Sequence, residues 1–103
     1  EFEALLKTAI VLAGGDKNKV FVVSIPDYGY TPFGKEKQSV ISKELDEYNA
    51  INRAISDRYG VKYFNITEIS RRGLIQPTLV APDNLHPSGK MYSLWTDIIA
   101  AGL

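Results

Sequence analysis

Two short β-rich runs limit what this chain can become: Val20-Phe21-Val22-Val23 and, further on, Val61 to Phe64. The first has no polar residue, the pattern of a strand buried on both faces of a parallel sheet rather than one with a wet side. Between the runs, Ile41, Leu45, Tyr48, Ile51, Asn52, Ile55 and Tyr59 mark one face of a long helix, and Gly60 follows where a helix C-terminal glycine belongs. A strand, a crossover helix and a second strand imply parallel pairing with a right-handed connection.

The flanks extend this unit. Phe2, Leu5, Leu6, Ala9, Ile10 and Ala13 recur at helical spacing before Gly14-Gly15 end the helix. Ser24 to Gly34 contains Pro26, Gly29, Pro32 and Gly34 and reads as a loop. Thr67 is placed to cap a short helical turn, Glu68 to Arg72, ended by Gly73, and Leu74 to Pro82 reads as an extended connection. A last helix is expected from Ser88, with Met91, Leu94, Trp95, Ile98 and Ile99 apolar. The fold class is therefore α/β, with about two strands and three to four helices.

Two strands of this kind ask for neighbours at both sheet edges and helices on both faces, so the expectation is a partial domain. The chain also opens at Glu1-Phe2 inside a helical pattern, without Met and without a capping residue. Residues 1–103 are accordingly expected to be the C-terminal part of one larger domain.

Composition removes several classes of function. The 12 basic and 12 acidic residues are well mixed and the net charge is zero, so there is no basic face for nucleic acid or an anionic membrane. No apolar run approaches the roughly 20 residues of a membrane span. The absence of cysteine excludes disulfides, thiolate metal sites and a cysteine nucleophile.

The residues with chemical character lie in Asp83-Asn84-Leu85-His86-Pro87-Ser88, which holds the only histidine. A four-residue turn with Asp first lets the carboxylate reach one ring nitrogen and leaves the other free. Pro87 keeps His86 extended, and Ser88 is placed as the N-cap of the last helix. An imidazole oriented by a carboxylate is two-thirds of a Ser-His-Asp hydrolase site. The plainer alternative is that Asp83 stabilises a turn and His86 fills space. As metal ligands, the two lack a third partner.

No nucleophile is evident. No serine stands in a G-x-S-x-G setting; Ser39, Ser42 and Ser56 fall near the polar side of the long helix, and Ser88 reads as a cap. Ser24 ends a strand, where functional residues of such folds gather, but without a G-D-S setting. Asp27, Tyr28 and Tyr30 either line a pocket or pack over the turn shaped by Pro26 and Gly29. Arg71-Arg72 reads as a solvated basic pair.

Asp83-x-x-His86-Pro87 before a C-terminal amphipathic helix resembles the last block of the SGNH, or GDSL, hydrolases, and VFVVSIPDYGYTPF resembles the central strand and loop of bacterial members. The order of the remaining elements follows the family over essentially the whole chain. The resemblance implies a three-layer α/β/α, flavodoxin-like fold and hydrolysis of carboxylic esters through an acyl-enzyme, without metal or cofactor. It makes His86 the general base, later the acid, and Asp83 its orienting carboxylate. The substrate would be a small-molecule ester, with acylated carbohydrates one class. In the family the serine and the glycine and asparagine of the oxyanion hole lie in earlier blocks, which have no counterpart here, so the chain by itself is expected to be close to inert. The rival expectation is a non-catalytic α/β module that self-associates, or pairs with a missing N-terminal half, through an exposed sheet edge.

Overall fold

In the computed structural model, which describes residues Glu1–Leu103, the two expected strands form as β1 (Phe21–Val23) and β2 (Lys62–Phe64). They pair in parallel, with Phe21 opposite Lys62, Val22 opposite Tyr63 and Val23 opposite Phe64. Four α-helices accompany them: α1 (Phe2–Leu12), α2 (Gln38–Arg58), α3 (Thr67–Ser70) and α4 (Gly89–Gly102). None of the helices is long and apolar enough to cross a membrane. The protein is thus mixed α/β, mostly helical, around a two-stranded parallel sheet.

Both faces of the sheet carry helix. The pleat puts Phe21, Val23, Lys62 and Phe64 on one side and Val22 and Tyr63 on the other. On the first side α4 closes in: Lys62 Nζ donates to the Gly102 carbonyl at 2.8 Å, and a side chain at Gly102 would collide with the Phe64 ring. On the second side the Tyr63 hydroxyl donates to the Asn49 carbonyl of α2 at 3.4 Å. Helix α1 lies beyond, tied to the end of α2 by Glu3, which accepts from the Tyr59 hydroxyl at 2.5 Å and pairs with Arg58 at 2.6 Å.

The buried apolar residues are Leu6, Val61, Phe64, Ile66, Leu79 and Met91. Six such residues cannot cover all the apolar surface of three long helices and two strands, and the shortfall is visible. β1 was expected to be buried on both faces, but Phe21 is 43% and Val23 37% exposed. With β2 as its only partner, the strand has one open edge. Of the apolar set expected for α1 only Leu5 is exposed, and Val11 and Leu12, outside that set, are exposed as well.

Helix α2 corrects a second expectation. Tyr48 and Ile51, assigned to its inner face, are exposed, while Ser56, assigned to the polar side, is completely buried. Its hydroxyl donates to the Asn52 carbonyl one turn back at 2.8 Å, which makes a serine acceptable in the interior. Gly14 (φ 73°) and Gly15 (φ 81°) do end α1: Gly15 N–H returns to the Ile10 carbonyl at 2.9 Å, in the left-handed backbone that glycine adopts without strain.

Candidate active site

The chain from Leu79 to Ser88 doubles back on itself. Ala81 N–H donates to the His86 carbonyl at 2.7 Å, Ser88 N–H to the Leu79 carbonyl at 3.0 Å, and Val80 and Pro87 form an antiparallel bridge. The tip is Asp83 to His86, where Asn84 takes a left-handed conformation (φ 65°), tolerated better by asparagine than by most residues. At the base Ser88 caps α4 as expected, accepting the Met91 N–H at 3.2 Å while its hydroxyl donates to the Thr78 carbonyl at 2.7 Å.

The tip brings Asp83 and His86 together. One carboxylate oxygen accepts the backbone N–H of Leu85 at 3.0 Å and of His86 at 2.9 Å, and the other lies 2.5 Å from His86 Nδ1. The His86 backbone N–H, then that of Leu85, then the imidazole hold the Asp83 carboxyl down at about 2. Asp83 is therefore ionised at neutral pH and can only accept, so the proton of the neutral ring resides on Nδ1. Nε2 keeps its lone pair and has no hydrogen-bond partner in the protein, and the His86 side chain is 69% exposed. No cluster of three or more histidine, aspartate or glutamate side chains is set to hold a metal ion.

His86 stands at a cavity of about 420 Å³ between the loop after β1, the Leu79–Pro87 segment and α4. Its wall is largely apolar, with Ile25, Leu79, Leu85, Met91 and Trp95 among the lining residues. Met91 and Trp95, expected as ordinary core residues of α4, thus serve as cavity wall as well. Tyr28 also lines it; Tyr30 does not.

The loop facing the dyad is anchored from beneath by Asp27, whose side chain is 0% exposed. One carboxylate oxygen accepts Gly29 N–H at 2.8 Å; the other accepts the Ser42 hydroxyl of α2 at 2.6 Å and Arg71 Nε–H at 3.0 Å. Arg71 also reaches Asp46 at 2.6 Å and Glu68 at 3.1 Å, so it is not the solvated cation expected from its arginine neighbour. Partial burial opposes its charge, but the hydrogen bonds it donates to Asp46 and Asp27 outweigh that and raise its pKa. Ser42, too, is a ligand of this cluster rather than a surface serine. Further along the loop, Phe33 N–H donates to the Asn84 carbonyl at 3.1 Å, so the anchored loop grips the tip of the dyad turn.

No serine is set to attack. Ser24 is buried, and its hydroxyl oxygen accepts Ile66 N–H at 2.8 Å, Thr67 N–H at 3.1 Å and the Thr67 hydroxyl at 2.7 Å. It caps α3 from across the sheet, the task expected of Thr67, which is instead the first residue of that helix. Ser70, the one serine in the cavity wall, accepts Asp27 N–H at 2.9 Å and donates to the Thr67 carbonyl at 2.5 Å.

Of the residues expected to carry chemistry, the structure unites Asp83 and His86 and gives Ser24 a structural task. It adds Asp27, Arg71 and Ser42 as supports. Asp27 had a local sign, the D-x-G spacing of an Asx turn after Pro26; nothing local announced its partners. Comparison with protein-family models, with curated proteins and with solved structures finds no match.

Proposed function

We propose that this chain carries the acid–base part of a carboxylic ester hydrolase site, within a three-layer α/β/α domain of the SGNH type. The observation that carries the reading is the His86 ring held through Nδ1 by ionised Asp83, with Nε2 free beside an apolar cavity. In the reaction Nε2 takes the proton of a serine hydroxyl as its oxygen attacks the ester carbonyl, then returns it to the departing alkoxide. The same nitrogen next takes a proton from water as the water oxygen attacks the acyl carbonyl, and passes it to the serine oxygen that leaves. Asp83 stays ionised throughout and stabilises the imidazolium. The serine comes from outside these 103 residues, because every serine beside the cavity or at the end of β1 is engaged elsewhere.

The test is hydrolysis of p-nitrophenyl esters by the complete product of the gene, with and without His86→Ala. Loss of a triad member removes most of the acceleration, so a fall of roughly 10³-fold or more is expected at unchanged thermal stability. A variant that retains a tenth of the activity would end the reading. The 103-residue chain assayed alone should stay near the background rate.

A second reading has its own observation. The open edge of β1, beside exposed Phe21 and Val23, suits strand pairing with a second copy. Sedimentation of the complete protein as a monomer across the micromolar range would dismiss it.

A further inference from the structure

The cavity beside His86 has walls that discriminate between kinds of ester. Its polar side chains are mostly committed. Asp27 accepts from Gly29, Ser42 and Arg71; Ser70 bonds the Asp27 N–H and the Thr67 carbonyl. Thr31 donates to the Tyr28 carbonyl at 2.7 Å and accepts Gly34 N–H at 3.2 Å. The indole N–H of Trp95 is sealed from solvent with no acceptor. His86 Nε2 and the Tyr28 hydroxyl keep free capacity, and the remaining side chains of the wall offer carbon.

A sugar ring needs a hydrogen-bonding partner for each hydroxyl it loses from water, and the side chains of this wall offer only those two groups. An acetyl group would leave most of about 420 Å³ unfilled. We propose, on the basis of the esterase reading above, that the cavity is an acyl-chain site for esters of straight-chain fatty acids of about six to eight carbons. The ester group sits at His86 and the alkyl tail runs along Leu79, Met91 and Trp95.

Straight-chain methyl ketones, which place a carbonyl on an alkyl tail but cannot be hydrolysed, provide the probe. Titration calorimetry on the complete protein should show the dissociation constant falling roughly fourfold per added methylene up to about eight carbons, then levelling off. The heat-capacity change should be negative. The part of the complete protein's emission that Trp95→Phe removes should shift with the octyl probe and not with a xyloside that carries one acetyl ester and keeps its other hydroxyls free. Ile25→Phe adds bulk from a partly exposed wall position and should weaken octyl binding at least tenfold at unchanged melting temperature; Leu85→Phe repeats the test from the opposite side.

A dissociation constant indifferent to chain length, or tighter binding of the sugar acetate, would overturn the proposal. The two readings fail separately. Chain-length-dependent binding by a protein that hydrolyses no ester would keep the alkyl site and remove the esterase. Hydrolysis that depends on His86 but not on acyl length would do the reverse.

Discussion

Replacing Asp27 by asparagine tests whether the loop opposite the dyad is held by one buried carboxylate. The substitution preserves shape, and the amide oxygen can still accept Gly29 N–H, which lies 2.8 Å away. The amide nitrogen then faces two donors, the Ser42 hydroxyl at 2.6 Å and Arg71 Nε–H at 3.0 Å. The hydroxyl can rotate and accept; the guanidinium cannot. One charge-assisted hydrogen bond is lost in a place where the carboxylate is 0% and the arginine 19% exposed. A hydrogen bond to a charged group contributes about 1.5–3 kcal/mol, and outright removal of one member of a buried pair costs about 3–5 kcal/mol. Because Arg71 keeps Asp46 and Glu68, a loss of about 2–3 kcal/mol is expected. For a domain of this size that lowers the melting temperature by roughly 10–20 °C. Urea unfolding followed by circular dichroism would measure it, with an unchanged dependence on urea marking a true stability effect. Asp46→Asn is the control: that carboxylate, 60% exposed, should contribute less than about 1 kcal/mol. If the two substitutions cost the same, or if Asp27→Asn costs under about 0.5 kcal/mol, burial is not what gives this cluster its strength.

Ser24→Ala should destabilise the protein by about 2 kcal/mol, because Ile66 and Thr67 lose the acceptor that caps α3, yet leave ester hydrolysis by the folded complete protein unchanged. A thousandfold loss of activity without unfolding would instead make Ser24 the nucleophile. Acid titration offers an independent check on the dyad. The folded-state pKa of Asp83, about 2, lies below the value near 3.9 of a free aspartate, so its stabilising effect is fully present above about pH 4 and disappears as pH falls through 2. The amide resonances of Leu85 and His86 should titrate with a midpoint near 2 and lose that transition in Asp83→Asn; a midpoint near 4 would show that the turn is not closed in solution.

What could be read from the sequence was what residues close in the chain decide. Asp83 and His86 are three positions apart, Pro87 and Ser88 fix where α4 begins, and Gly14-Gly15 and Gly60 stop helices by their own backbone freedom. The supports escaped because their partners are remote. Ser24 caps a helix 43 residues away, and Asp27 meets Arg71 44 residues away, so neither shows a spacing that periodicity can register. Tyr48 and Ile51 misled for a related reason: apolar residues at helical spacing name a stripe, but which side of the stripe is covered depends on what packs there. The same holds for Phe21 and Val23, whose composition describes a strand with two neighbours where the structure supplies one.

The parallel sheet carries a kinetic consequence. Its register joins Phe21 to Lys62, and the cap that finishes β2 joins Ser24 to Thr67, so no strand contact can form until the chain between them is gathered in. That intervening chain is mostly α2, whose 21 residues can coil in microseconds or less from local bonds alone. Helix α2 would therefore act as a strut that shortens the loop to be closed, and β1–β2 pairing, with the Ser24 cap, would form late in folding. Until then β1, a wholly apolar run, waits without a partner, which makes the interval before closure the one in which this protein is most exposed to aggregation.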